Sequence, residues 1–240
     1  MKIVEKTENQ LTFVAKIPLN LANAIRRYVW QIPIFAIDEV EIFLNDSPMY
    51  DEALAHRLGL IPIKMEKSLD EKKVKLSLKV KKEGTVYSGD LEGDAKVVYK
   101  NMPIVILDKG QKLELVATGR FGKGSEHTKF SPGLLYYREV FELTTDKSLL
   151  EEFKKRFPSN KIEEKGGKIT ILDDQKKEIK DMCQSICKEK GKELELKETD
   201  EIVITIESFG QLPPEKIFKR AIECLKKDLS EVAKLAEKKI

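Results

Sequence analysis

The sequence predicts an α+β protein assembled from more than one compact piece. Three observations carry that expectation. Segments with strict two-residue hydrophobic alternation recur from the N-terminus to about Leu143, whereas apolar residues fall at helical spacing after Asn20 and again after Pro213-Pro214. The composition then shifts at Thr145 to Lys and Glu with few aromatics, and shifts back near Lys197. A chain of 240 residues accommodates one large domain or two to three small ones.

Each element follows from local chemistry. Ile3 and Val4, then Leu11, Phe13, Ala15 and Ile17 alternating with polar partners beyond Glu8-Asn9-Gln10, read as a hairpin. Pro18 ends it, and Asn20 caps a helix in which Leu21, Ala24, Ile25, Tyr28 and Val29 share a face until Pro33. Arg26 and Arg27 fall on its exposed flank. Phe35, Ile37, Val40, Ile42 and Leu44 form a strand with an irregularity near Asp38-Glu39, closed by the turn cluster Asn45-Asp46-Ser47-Pro48. Residues 50–58 read as a short helix that Gly59 ends in a left-handed cap.

Val74, Leu76, Leu78 and Val80 alternate, as do Leu113, Leu115 and Ala117, with apolar runs at residues 95–99 and 104–107 between them. A meandering β-rich region results. Residues 145–197 then read as a small, weakly cored α+β insert, with helices near residues 149–157 and 179–188 and a strand at residues 168–172; such small units often need a metal or a partner. Ile202, Ile204 and Ile206 restore the alternation. The final helix begins at Pro213-Pro214 and carries a stripe through Ile217, Ala221, Cys224 or Leu225, Leu229, Val232 and Ala236, about 25 residues or roughly 37 Å long. That exceeds what a small domain needs to cover itself, and it reads as a subunit interface.

Composition excludes several classes. Lys+Arg of 44 against Asp+Glu of 41 leaves a net charge of +3, too balanced for a surface built throughout to neutralise nucleic-acid phosphates. The interspersed signs fit thermal adaptation better. Three cysteines make no disulfide framework and point to a reducing compartment. The start lacks a leader pattern and no stretch approaches a membrane span, so a soluble, cytoplasmic protein is expected.

No catalytic constellation emerges. His56 in a short helix and His127 in a polar loop show no metal spacing, and a capping or surface role is expected for each. The glycines of Gly119-Arg120-Phe121-Gly122-Lys123-Gly124 hint at a phosphate loop, but the leading glycine and the trailing Ser/Thr are missing, so a flexible glycine turn is the reading. Cys183 and Cys187 stand at i and i+4 on one helical face; they are two metal ligands where structural zinc or an iron–sulfur cluster takes four. Cys224 lies on the apolar stripe as a small hydrophobe.

The run LANAIRRYVWQIPIFAIDEVEIFLNDSPMYDEALAHRLGLIPI at residues 21–63 closely resembles the D-type assembly subunit of archaeal DNA-directed RNA polymerase. Residues 93–133 and the run ESFGQLPPEKIF at residues 207–218 resemble it as well. This family is the counterpart of the eukaryotic third-largest subunit and of the bacterial alpha subunit. The resemblance implies a bacterial-alpha-like dimerisation domain split between residues 1–44 and 197–240. A β-rich domain at residues 45–144 would be inserted in it, followed by a degenerate ferredoxin-like insert at residues 145–196.

By the same resemblance the chain is a non-catalytic assembly subunit with no catalytic residues of its own. It would heterodimerise with subunit L and form the platform on which the large catalytic subunits and the small subunits N and P gather. Leu21, Ala24, Ile25, Tyr28, Leu225, Leu229 and Val232 would bury against L, and Arg26 and Arg27 would reach the second-largest subunit. Contact with DNA and RNA would be indirect, through the complex, and no membrane would be involved. Many archaeal members carry an iron–sulfur cluster in the insert, and with only Cys183 and Cys187 left a cluster-free remnant is expected. An iron–sulfur redox or sensing protein is the alternative.

Overall fold

The computed structural model describes residues 1–65 and 74–237. The chain divides into two compact units, Met1–Asn23 with Leu135–Ile206, and Ala24–Leu134 with Glu207–Ile240. No described helix is long and apolar enough to cross a membrane.

In the first unit β1 (Lys2–Lys6) and β2 (Gln10–Ala15) form the predicted antiparallel hairpin. They continue into a six-stranded sheet of order β1-β2-β12-β9-β11-β10. Its two longest strands, β9 (Gly133–Asp146) and β12 (Glu195–Ser208), bracket the insert, while β10 (Ile162–Lys165) and β11 (Lys168–Leu172) extend the same sheet. Helices α3 (Leu150–Arg156) and α4 (Lys180–Glu189) supply the insert's other layer.

The expectation of a weakly cored insert is overturned. Leu143, Leu149, Phe153, Phe157, Ile169, Ile171, Ile179 and Ile186 form a closed core with both cysteines of α4, and the Phe153 and Phe157 rings meet edge to face at 5.7 Å. Composition concealed this, because the many Lys and Glu residues lie largely on the surface while most of the few apolar ones point inward. Asp173 is buried beside this core. It accepts from Arg138 and from the Ile179 N–H at 3.2 Å, which anchors the chain where it enters α4.

In the second unit β3 (Ile34–Asn45) pairs with β8 (Leu113–Gly122), β8 with β4 (Lys75–Val80), and β4 with β6 (Glu92–Gly93). The β3–β8 register slips between Ile37 and Glu39, a bulge at the irregularity foreseen near Asp38-Glu39. A ribbon of β5 (Gly84–Tyr87) and β7 (Pro103–Leu107) and the helix α2 (Asp51–Gly59) close the core around Phe35, Leu54, Leu58, Leu76 and Leu115. The apolar run at residues 95–99 forms no strand; its Val97 makes one isolated bridge to Ile63.

Two glycine expectations change. Gly59 ends α2 without a left-handed cap: Leu60 follows in right-handed conformation, and the Leu60 and Ile61 N–H groups bond back to Arg57 and Leu58 in a tightened last turn. Of the 119–124 glycines only Gly124 stands in a turn, since Gly119 lies within β8 and Gly122 ends it. A Cβ on Gly119 would stand 2.2 Å from the Phe35 ring, and one on Gly122 would stand 2.6 Å from the Phe130 ring. Their missing side chains seat two fully buried aromatics.

Helix α1 (Leu19–Tyr28) starts one residue before its expected cap, with the Pro18 carbonyl accepting the Leu21 and Ala22 N–H groups and Asn20 Oδ1 bonding Leu21 N at 2.8 Å. After β12 the Ser208-Phe209-Gly210 bend needs Gly210 in the left-handed region, at φ +94°. Helix α5 (Pro214–Glu237) follows for 24 residues and carries the whole predicted stripe, Ile217 to Ala236. Gly119→Ala is expected to lose about 2 kcal/mol of stability by forcing Phe35 aside, read as a lower urea midpoint with an unchanged slope.

Candidate subunit interface

Helix α5 changes character along its length. Pro214, Ile217 and Ala221 are buried, Ile222, Cys224 and Leu225 are half-buried, and every described residue from Lys226 onward is exposed. Leu229 is 59% exposed, Val232 63% and Leu235 62%. With Leu225, Leu229 and Val232 separated by four and three residues, the bare half presents one narrow apolar seam of the kind that packs against a second helix.

Near the middle of the helix, two contacts fix it to the end of α1 and the turn after it. The Tyr28 hydroxyl donates to Asp228 Oδ2 at 3.0 Å, and Cys224 Sγ lies 3.8 Å from the Gln31 carbonyl oxygen. The hydrogen bond to Asp228 holds the Tyr28 hydroxyl above its ordinary value. On α1, Leu21 is exposed, Ala24 and Tyr28 are half-buried, and Ile25 is buried at 4%. Of the seven residues expected at a partner surface, Ile25 is therefore spent on the chain's own core. Arg26 and Arg27 are exposed in the last turn of α1, a position where positive charge also opposes the helix dipole.

A second cluster gathers on β3 and β8. Asp38, turned out by the bulge, accepts from Lys129 Nζ at 2.6 Å and from Arg120 Nε at 2.8 Å, and Arg120 also bonds Glu126 at 3.1 Å. The Lys129 hydrogen bond, seconded by Arg120, holds the Asp38 carboxyl below the usual carboxylate range. Both cations lie near the face of the buried Phe130 ring, Arg120 at 4.7 Å and Lys129 at 5.1 Å from its centroid. His127 has a capping role, its Nδ1 accepting the Lys129 N–H at 3.1 Å.

Comparison with known proteins places these elements. The family model described as the RNA polymerase Rpb3/RpoA insert domain matches residues 32–135, from the turn before β3 to the start of β9. The DNA-directed RNA polymerase subunit Rpo3 of Pyrococcus horikoshii is 35% identical over 94% of this chain and 93% of its own length. That of Thermococcus kodakarensis is 34% identical over 98% of each. The chain belongs to the Rpo3 family of DNA-directed RNA polymerase subunits. The Rpo3 of Methanocaldococcus jannaschii is 41% identical over 55% of this chain.

Within the Rpo3 family frame, the insert's cysteines meet a test of fit for an iron–sulfur cluster. Cys183 and Cys187 lie wholly inside the apolar core, where Thr145 Oγ1 is 3.4 Å from Cys187 Sγ. Burial pushes the Cys183 thiol up to about 12, opposite to what a thiolate ligand requires. Among the described residues no three His, Cys, Asp or Glu side chains converge on one point. The pair supplies two of the four thiolates that such a cluster takes.

Two outcomes follow from these sites. A water-soluble thiol reagent should modify Cys224 in the folded chain, and Cys183 and Cys187 only in denaturant, as mass spectrometry of the labelled protein would show. Because the folded Asp38 carboxyl titrates below its unfolded value, its stabilisation is present above the ordinary carboxylate range and is lost as pH falls through the depressed value. Asp38→Asn should then cost about 1–2 kcal/mol at neutral pH and progressively less as the pH falls below the ordinary carboxylate range, measured as urea midpoints across that range.

Proposed function

We propose that this chain is a non-catalytic assembly subunit that heterodimerises with subunit L, the pair serving as the platform for the large catalytic subunits of the polymerase. The observation that carries the reading is the bare half of α5. A helix that leaves Leu229, Val232 and Leu235 open to water over its last turns offers an apolar seam for a partner to cover. Family membership supplies the assembly in which such a contact would form.

Leu225, Leu229 and Val232, with Leu21, Ala24 and Tyr28 on α1, would then cover the partner, and Ile25 would support them from below. Arg26 and Arg27 would meet the second-largest subunit, where planar guanidinium forks suit carboxylates and backbone carbonyls. The small subunits N and P would join the same platform, with DNA and RNA reached only through the complex. The insert would keep its fold by its apolar core, without a metal.

Co-expression with an L subunit, followed by size exclusion with light scattering, tests this. A 1:1 heterodimer is expected. Leu229→Asp should leave the isolated chain folded, because Leu229 is exposed there, and weaken the heterodimer by roughly 100-fold, since an unpaired carboxylate would be buried. A chain that stays monomeric beside L, or a Leu229→Asp variant that pairs as the parent does, would overturn the reading.

A further inference from the structure

The chain's two histidines, far apart in sequence, line the same cavity. It lies between the last turns of α2 and the turn that follows β8, holds about 240 Å³, and has Ile37, Val40, Ala55 and Leu60 among its walls. Asp38 and Lys129 also reach it.

The charged groups around the cavity are already matched. Asp38 is held by Lys129 and Arg120, and Arg120 by Glu126, whose other oxygen accepts the Lys123 N–H at 3.1 Å. Two carboxylates thus face two cations, which leaves the imidazoles as the uncommitted polar groups. His127 accepts the Lys129 N–H through Nδ1, so its neutral ring carries the proton on Nε2 and offers that N–H as a donor. The His56 ring, in the last turn of α2, makes no hydrogen bond to any described residue.

This arrangement selects a ligand class. A metal ion finds no acceptor set, since His127 Nδ1 and both Asp38 oxygens are engaged and no three metal-binding side chains converge among the described residues. Phosphate would leave the aliphatic walls unused. We propose that the cavity binds a carboxylate carried on a short apolar stem, its oxygens accepting from His127 Nε2–H and from the His56 ring while the stem packs on Ile37, Val40 and Leu60. A glutamate side chain of a neighbouring protein and a free monocarboxylic acid share that chemistry.

The two histidines make the test direct, because proton NMR of the full chain carries two imidazole Hε1 signals. On titration with butyrate, or with glutamate blocked at both ends, both signals should shift along one saturation curve. His56→Gln, an exposed substitution with no bond to lose, should weaken binding about fivefold as read at His127, whose signal in the free variant should stay in place. Tighter binding of blocked glutamate than of butyrate would assign the site to a protein partner, and the reverse order to a free acid. Signals that stay still, drift without saturating, or move equally with inorganic phosphate at matched ionic strength would overturn the proposal.

Discussion

The antiparallel ladder between β3 and β8 is the constraint on which the second unit depends. It pairs Ile34 with Gly122 at one end and Asn45 with Leu113 at the other, and it closes only because two glycines of β8 leave room for the Phe35 and Phe130 rings. With the rings seated, Phe35 meets Phe121 edge to face at 5.4 Å and the core fills around Leu54, Leu58 and Leu76. The bulge at Asp38 is a consequence: a strand that must turn one carboxylate outward, toward Lys129 and Arg120, loses a register step there. The same ladder delivers the His127 turn to the flank of α2 and so creates the two-histidine cavity.

Coverage governs α5. A 24-residue helix is about 36 Å long, and the described chain buries only its first turns. Tyr28 and Gln31 hold the helix near its middle, so the bare half is presented in a fixed direction by hydrogen bonds to residues that the chain itself supplies. A seam positioned in this way loses little conformational freedom on pairing, which favours association.

The insert resolves a physical problem that its composition poses. A segment of this size, rich in Lys and Glu, has little apolar material with which to oppose chain entropy. It succeeds in two ways. Its strands extend a sheet already founded on β9 and β12, so half of its scaffold belongs to a larger unit. Most of its few apolar residues, the two thiols included, enter one core. Cysteines in that setting act as small hydrophobes, and the raised Cys183 thiol is the electrostatic mark of that role.

The sequence by itself determined the element types, because periodicity is a local property. The hairpin, the strand with its flaw near Asp38-Glu39, the strand at Lys168–Leu172 and the long terminal helix all stand where alternation, prolines and turn residues put them. It also exposed the α5 stripe. What it did not contain is the meaning of residues whose partners are distant along the chain. Gly119 and Gly122 looked like a mobile turn because the rings that need their space lie elsewhere in the chain, Phe35 in β3 and Phe130 in the turn after β8. Ile25 shares a helical face with Tyr28, yet only the packed structure separates the buried member from the half-open one. His56 and His127 read as two unrelated surface groups, and tertiary contact alone brought them to one cavity. Local patterns fix what each segment becomes, whereas burial, close approach and shared cavities are properties of pairs, and only the fold decides which pairs exist.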